Sequence, residues 1–360
     1  MRPTTALFAV YGVPFSLTGV PAIPEFIGRE EGLASLWAIL NPLNLSSRII
    51  MVLHGTGGVG KTQLAVALAR KHKNDFTAIF WLDARNKSSL IRSLAKASER
   101  LSPSQLQHAG IESPNGEEER SRGMTRWLGL PGNSSWLLVF DDADGLSLDQ
   151  ISDFFPAGDG GRIVVTTRRK TFCQLGLSFP VQKIPLQEAK EVFKSSAHLV
   201  GDLSTDCQND IENLCRYLDG LPLALSSAGD FVRSTGSTAA EYLQFYKTQW
   251  VELQSASSPS RWYSRGTLNQ TWSDTYSALK SDSRQAALLL DSICCLDDDK
   301  ISFTTFHKTL KEHQKRHLNE DTFNKHMGSI VDYSFAELMD DGSYSINSVL
   351  RSWFRSRSAS

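Results

Sequence analysis

The stretch RIIMVLHGTGGVGKTQ, residues Arg48–Gln63, decides the fold of this chain. An apolar run of strand length, Arg48–Leu53, leads into Gly55–Thr62, which fits G-x-x-x-x-G-K-[ST] at every fixed position. Gln63–Arg70 then continues as a good helix former. A strand, a glycine-rich loop and a helix in this order predict a phosphate-binding loop, or P-loop, rather than a chance Gly-Lys-Thr in a turn.

The residue types of this loop suit the phosphates of a nucleotide. Glycines lack Cβ, so backbone N–H groups can curl around a phosphate, and the helix N-terminus adds its positive end. The ammonium of Lys61 can bind β- and γ-phosphate oxygens, and the hydroxyl of Thr62 suits Mg²⁺. We expect the nucleotide to contact Gly55, Gly57, Gly58, Val59, Gly60, Lys61, Thr62 and Gln63.

A second nucleotide-site pattern is WLLVFDD, Trp136–Asp142, an apolar run that ends on two acids. In form it is a Walker B strand, and Asp141 at its carboxyl end is predicted to hold Mg²⁺. Asp142 could orient or deprotonate an attacking water, so we expect it to be catalytic together with Lys61. A plain boundary between a strand and a turn is the alternative.

Composition excludes several classes of protein. A chain of 360 residues predicts two or three domains, and a net charge of −1 argues against a nucleic-acid or anionic-membrane partner. The five cysteines have no metal-binding spacing, and their odd number argues against a disulfide framework, so reduced thiols in the cytoplasm are expected. Neither a signal peptide nor an apolar run of membrane-spanning length is evident.

Three further segments carry a family resemblance. FIGRE at Phe26–Glu30, GGRIVVTTRR at Gly160–Arg169 and GLPLA at Gly220–Ala224 accompany the P-loop. Together they resemble the NB-ARC nucleotide-binding domains, the switch modules of the STAND class found in apoptosome-type regulators, plant resistance proteins and fungal NLR-like proteins. Taken without the resemblance, the first would be a turn before a helix, the second a solvated strand end and the third a helix cap.

The resemblance implies roles for residues outside the P-loop. Ile27 and Arg29 would line the adenine pocket, and Arg168 would detect the γ-phosphate through charge-assisted bonds that ADP cannot accept. Pro222 would pack on the base and sugar, and Ser226 would lie near the α-phosphate. The capping role of the corner before Pro222 is compatible with this use.

The expected fold class is α/β, with a P-loop NTPase parallel sheet followed by a helical domain and a winged-helix domain. Val181–Ile184 is predicted as the last strand of the sheet, and Ser102–Gly123, rich in Ser, Pro, Gly and Glu, as a surface insertion. The predicted domains are an N-terminal extension 1–21, a nucleotide-binding domain 22–185, a helical domain 186–254, a linker 255–267 and a winged-helix-like domain 268–356.

Two stretches near the C-terminus need separate interpretation. The family's M-H-D motif, whose histidine contacts the ADP β-phosphate, aligns with Ile346, Asn347 and Ser348, and Asn347 can donate a hydrogen bond but cannot carry charge. A turn before the last helix is the alternative role of Asn347. His313 and His317 have a possible metal-ligand spacing, but neighbouring lysines and arginine favour a solvated basic helix.

The sequence therefore predicts an ATP/ADP-binding conformational switch with slow ATP hydrolysis, acting in signalling or defence-like regulation. ATP or ADP with Mg²⁺ would be its cofactors, and the resemblance implies self-association on activation and protein partners of unknown identity. Two rivals remain: a DNA-binding or remodelling ATPase of the AAA+ type, and a scaffold that retains ADP without hydrolysis. An effector domain and sensor repeats are not expected within these 360 residues.

Overall fold

The computed structural model describes residues 4–20, 22–23, 25–41, 47–110, 116–248, 268–296, 300–310 and 318–358. These group into two compact units. Unit 1 comprises Met1–Gly55 and Lys61–Val181, and unit 2 comprises Thr56–Gly60 and Gln182–Ser360. The predicted linker 255–267 and the stretch that contains His313 and His317 lie outside the described residues. The predicted domain boundaries stay predictions.

Unit 1 is built on a five-stranded parallel sheet with the order β2-β3-β4-β1-β5. Its strands are β1 Ile49–His54, β2 Ala78–Asp83, β3 Trp136–Asp141, β4 Arg162–Thr167 and β5 Leu177–Pro180. The central strands are buried along nearly their whole length, as expected when helices cover both faces of a parallel sheet. The α/β P-loop NTPase fold predicted from the sequence is confirmed.

The helices of unit 1 follow the local signals of the sequence. They are α1 Thr5–Tyr11, α2 Glu30–Leu40, α3 Lys61–Lys71, α4 Lys87–Ser98, α5 Pro103–His108, α6 Glu117–Leu128 and α7 Leu148–Ser152. Helix α4 shows the principle: the Asn86 side chain caps it by accepting from Ser89 N at 2.9 Å, and Leu90 and Leu94 bury its apolar face. Helix α3 begins at Lys61, inside the glycine motif, so the loop ends directly at a helix N-terminus.

The prediction that Ser102–Gly123 is a surface insertion was wrong. Helices α5 and α6 occupy the described parts of this stretch, and α6 continues to Leu128. Met124 and Trp127 of α6 are completely buried in the core of unit 1. The glutamates and arginines on the exposed face of α6 gave the stretch a loop-like composition, and they masked the buried positions spaced by three and four residues.

The prediction of a last strand at Val181–Ile184 was also wrong. The strand is Leu177–Pro180, and the chain beyond it adds one further bond from Val181 N to His54 O at 2.8 Å. Because β5 is an edge strand with mostly exposed side chains, it lacks the apolar run that identifies the central strands.

The described residues of unit 2 are mostly helical, with one small hairpin and an isolated antiparallel bridge between Ile301 and Tyr344. Its helices are α8 Leu186–Ala197, α9 Thr205–Tyr217, α10 Pro222–Thr235, α11 Ala239–Thr248, α12 Leu268–Asp282, α13 Arg284–Cys294, α14 Phe303–Thr309, α15 Glu320–Asp332 and α16 Ser348–Ser358. The hairpin pairs β6 Glu337–Leu338 with β7 Tyr344–Ser345. Trp272 and Trp353 pack edge to face in the C-terminal core. The assignment of this part as a winged helix stays a prediction.

None of the described helices combines the length and the hydrophobicity that a membrane span requires.

Candidate functional site

The P-loop motif leaves β1 in a conformation that only glycine adopts readily. Gly55, Gly58 and Gly60 have φ angles of 143°, 86° and 94°, in the region that side-chain-bearing residues rarely occupy. Helix α3 follows at once, so its N-terminal N–H groups adjoin the loop. A loop of this kind suits an anion because its backbone donors can converge without side-chain interference.

Lys61 is the cation of this loop. Its Nζ donates to Gly55 O at 2.6 Å and is partly buried. Burial and the positive charge of Arg168 lower the pKa of Lys61 to about 8, although the aspartates at positions 141, 142 and 144 act in the opposite direction. The ammonium is therefore charged at neutral pH in a partly desolvated site, where a phosphate would interact with it strongly.

Thr62 in the first turn of α3 meets Asp141, the last residue of β3. Thr62 Oγ1 donates to Asp141 Oδ1 at 2.8 Å, and Asp141 is completely buried. A hydroxyl and a carboxylate are the hard oxygen donors that Mg²⁺ prefers. Among the described residues no group of three or more His, Cys, Asp or Glu could hold a metal ion. This donor set fits Mg²⁺, which is usually bound by one or two carboxylates together with phosphates and waters.

Asp142 directly follows β3 with an unusual backbone. Its φ of 66° and ψ of 57° lie in the left-handed region, and its N–H donates to Thr166 Oγ1 at 2.9 Å. Its carboxylate Oδ1 lies 3.7 Å from Arg168 Nη2. Strained backbone of this kind persists where neighbouring contacts hold it, and it concentrates at functional sites. The carboxylate thus lies beside Asp141 and next to the predicted γ-phosphate sensor.

Two side chains at the end of β4 complete the cluster, and the sequence interpretation had not identified them as site residues. Thr166 Oγ1 donates to Asp141 Oδ1 at 2.6 Å while accepting from Asp142 N. Thr167 Oγ1 donates to Asp144 Oδ1 at 2.7 Å. The two threonines before Arg168 and the third acid after β3 were visible in the sequence, but only strand pairing brings them together.

The segment before α2 is held along α3. Ile23 N donates to Gln63 Oε1 at 3.1 Å, and Arg70 Nη1 donates to Ile23 O at 2.7 Å. Further on, Gly28 and Arg29 both adopt left-handed conformations, with φ angles of 72° and 59°. Ile27 is half-buried just before this bend. The predicted adenine contacts of Ile27 and Arg29 stay predictions.

In unit 2 the GLPLA corner is shaped by Gly220. Its φ is 62°, and a Cβ at this position would lie 2.3 Å from Ile184 O, so only glycine fits. Pro222 opens α10, and Ser226 lies one turn further along the same helix. Within this unit, Leu223 N donates to Gly58 O at 3.2 Å, which links the corner to the loop tip Thr56–Gly60. Nucleotide contacts of Pro222 and Ser226 stay predictions.

Both ends of the Asn347 amide are engaged by protein groups of unit 2. Nδ2 donates to Asp219 Oδ2 at 2.8 Å, and Oδ1 accepts from Val349 N and Leu350 N at 2.9 and 3.2 Å. Asp219 Oδ2 also accepts from Lys183 Nζ at 2.6 Å. Asn347 therefore caps the last helix, as its alternative role predicted, and a phosphate contact of this residue stays a prediction.

Comparisons with known proteins agree with this geometry. The NB-ARC domain family matches residues 30–191 of the chain. A nucleotide-binding leucine-rich repeat (NLR)-like protein of Hyaloscypha variabilis is 24% identical over 382 residues, which cover 96% of this chain and 36% of that protein. A probable disease resistance protein of Arabidopsis thaliana is 25% identical over 246 residues, which cover 65% of this chain and 32% of that protein. The chain thus spans about a third of the length of these relatives.

Solved structures share the fold of the chain. A Walker-type ATPase of Pyrococcus abyssi aligns with a TM-score of 0.64 at 15% identity, covering 97% of this chain and 99% of that one. The Aeropyrum pernix ORC2 protein aligns with a TM-score of 0.50 at 12% identity, covering 99% of both chains. At these identities the likeness concerns the fold alone.

Proposed function

Because residues 30–191 of the chain match the NB-ARC domain family, we propose that the protein is an ATP/ADP-dependent conformational switch. Slow hydrolysis of ATP returns it to the ADP-bound form. The disease-resistance-type relatives support a place in signalling or defence-like regulation, with self-association on activation and protein partners of unknown identity.

The observation that carries this proposal is the 2.8 Å contact between Thr62 Oγ1 and Asp141 Oδ1. It joins the residue that ends the P-loop motif to the residue that ends the Walker B strand. Lys61, next to Thr62, supplies the positive charge for the β- and γ-phosphates. Thr62 and Asp141 would hold Mg²⁺, which when bound neutralises phosphate charge in the transition state.

Asp142 and Arg168 provide the chemistry at the third phosphate. The Asp142 carboxylate orients a water and accepts its proton, since it is held beside Asp141 by the bond from its own N–H to Thr166. The Arg168 guanidinium donates charge-assisted bonds to the γ-phosphate, and it loses that partner when ADP replaces ATP. The difference in these contacts gives the two nucleotides different effects on conformation.

The remaining nucleotide contacts belong to the base and sugar. Ile27 and Arg29 bind the adenine through the bend before α2, where two consecutive residues are left-handed. Pro222 packs on the base and sugar, and Ser226 approaches the α-phosphate. The bond between Leu223 N and Gly58 O supports the placement of this corner beside the loop tip.

The test is to denature the purified protein and identify the nucleotide released, then to measure ATP exchange and phosphate release. Bound ADP that exchanges for ATP, followed by slow phosphate release that Asp142→Asn abolishes, would support the switch. ADP that is retained without exchange or turnover would indicate a scaffold. An empty site combined with salt-sensitive DNA binding would indicate a remodelling ATPase and overturn the proposal.

A further inference from the structure

We propose that Asp144 is a positioning residue that holds the guanidinium of Arg168 and thereby sets the preference of the site for ATP over ADP. The inference rests on the proposed function of the same site, and it assigns a role to an acid outside the P-loop and Walker B patterns. It concerns unit 1 alone, since Asp144, Thr167 and Arg168 all belong to that unit.

The Asp144 carboxylate contacts both the main chain and the side chain of Arg168. Asp144 lies in a single 3₁₀ turn, Ala143–Gly145, directly after the Walker B strand. Its Oδ1 accepts from Arg168 N at 2.6 Å and from Thr167 Oγ1 at 2.7 Å. Its Oδ2 lies 3.2 Å from Arg168 Nε. One acid therefore fixes the end of β4 and one edge of the guanidinium that follows it.

This pair is shielded from solvent. The side chains of Arg168 and Asp144 are only 13% and 23% exposed. Asp144 Oδ2 is buried and accepts no hydrogen bond from the described residues, so its charge is compensated there by the ion pair with Arg168 Nε and by the charge of Lys61. A buried carboxylate left without such a partner would be strongly destabilised, and the contact is therefore expected to persist.

The charge state of Asp144 is consistent with this contact. Burial by itself would raise the pKa of its carboxyl, but the charges of Arg168 and Lys61 and the bonds from Arg168 N and Thr167 outweigh burial and hold that pKa below its ordinary value. Asp144 is thus ionised at neutral pH.

A fixed Nε edge orients the whole guanidinium, because this group is planar and presents its donors in a rigid fork. An arginine side chain that is ordered before the nucleotide arrives loses less conformational entropy when it binds a γ-phosphate. ADP lacks that phosphate and gains nothing from the ordering. Asp144 should therefore favour ATP selectively, although its negative charge by itself opposes both nucleotides.

The ordering of Arg168 and the negative charge of Asp144 act on ATP binding with opposite signs. The direction in which a variant changes ATP affinity therefore distinguishes the two effects. In Asp144→Asn the amide keeps an oxygen for Thr167 Oγ1 and Arg168 N, but its NH₂ replaces the acceptor that faces Arg168 Nε. Loss of charge alone would strengthen binding of both nucleotides, and of ATP more than of ADP. Loss of positioning would weaken the binding of ATP and leave the binding of ADP nearly unchanged.

The experiment measures the affinities of the full chain for ADP and for a non-hydrolysable ATP analogue by calorimetry in Mg²⁺. We expect Asp144→Asn to lower the affinity for the ATP analogue about 10-fold, as for loss of part of a charge-assisted contact. The affinity for ADP should change less than about 2-fold. Asp149→Asn removes an equal charge from an exposed position of α7 and should leave the ratio of the two affinities unchanged.

A double-mutant cycle tests whether Asp144 acts through Arg168. In an Arg168→Gln background, Asp144→Asn should cause no further change in the ratio. Thr167→Val, which removes one donor to Asp144 and leaves all charges in place, provides a second variant if Asp144→Asn does not fold. Thr167→Val should lower the affinity for the ATP analogue about 3-fold.

Four outcomes would overturn the inference. An unchanged ratio in the variants of Asp144 and Thr167, or a ratio that shifts toward ATP, would refute positioning while leaving the proposed switch intact. An equal effect of Asp144→Asn with and without Arg168 would show that the acid does not act through the arginine. A wild-type protein that binds neither nucleotide would overturn the proposed function, and the inference with it.

Discussion

Replacing Thr166 by valine removes a single hydroxyl that joins both acids of the Walker B strand. Thr166 Oγ1 donates to Asp141 Oδ1 at 2.6 Å and accepts from Asp142 N at 2.9 Å. The side chain is 1% exposed. Valine has nearly the same shape, so Thr166→Val changes the polar contacts without opening a cavity.

The size of the effect follows from these two contacts. A hydrogen bond to a charged group contributes about 1.5–3 kcal/mol and a neutral one about 0.5–1.5 kcal/mol. Asp141 is completely buried, so water cannot replace the lost donor. We expect Thr166→Val to lower the free energy of unfolding of unit 1 by about 2–4 kcal/mol. For a domain of this size the melting temperature should fall by roughly 5–15 °C.

Guanidinium unfolding followed by tryptophan fluorescence would measure this change, since Trp127 and Trp136 are buried in unit 1. Thr166→Ser keeps the hydroxyl and should restore most of the stability. Thr248→Val is the matched control, because Thr248 is exposed in unit 2 and its hydroxyl donates to Gln244 O within its own helix, and the expected change is below about 0.5 kcal/mol. Wild-type stability of Thr166→Val, or a serine variant no better than the valine one, would refute the reasoning.

Three further outcomes can be checked directly. Lys61→Ala should weaken ADP and ATP about 10- to 100-fold in calorimetry through loss of a charge-assisted phosphate contact, and unchanged affinity in a folded variant would exclude the P-loop as the binding site. Asp142→Asn should lower phosphate release while sparing Mg·ATP binding, whereas Asp141→Asn should weaken the magnesium dependence; negligible effects of both on an active wild type would contradict the assignment. Asn347→Ala should destabilise unit 2 by about 1–3 kcal/mol through loss of the helix cap and the bond to Asp219, and an unchanged melting temperature would contradict that role.

The family and the fold class followed from local patterns in the sequence. A P-loop needs glycines, a lysine and a threonine at set spacings, and a buried parallel strand needs an uninterrupted apolar run. For this reason β1 and β3 were identified to within one residue of their bounds, and the resemblance to NB-ARC domains is confirmed by the match over residues 30–191. The same logic failed for β5 and α6, since neither an exposed edge strand nor a charged amphipathic helix carries a strong local apolar signal.

The roles that the sequence assigned to single nucleotide-site residues stay predictions, because patterns report residue types and not contacts. Asn347 illustrates the difference. Its alignment pointed to a phosphate, while the folded chain directs its amide to a helix N-terminus and to Asp219, which lies 128 positions away along the chain.

Only the tertiary structure decided how the acids after β3 are arranged. In the parallel pairing of β3 with β4, Phe140 lies opposite Val165, and this register places Thr166 beside Asp141 and Thr167 beside Asp144. These partners are separated by 25 and 23 positions in the chain. No local pattern encodes such contacts, because a one-residue change of register would point each threonine to the opposite face of the sheet. Strand pairing therefore determines which acid contacts Thr62 and which one contacts Arg168 Nε.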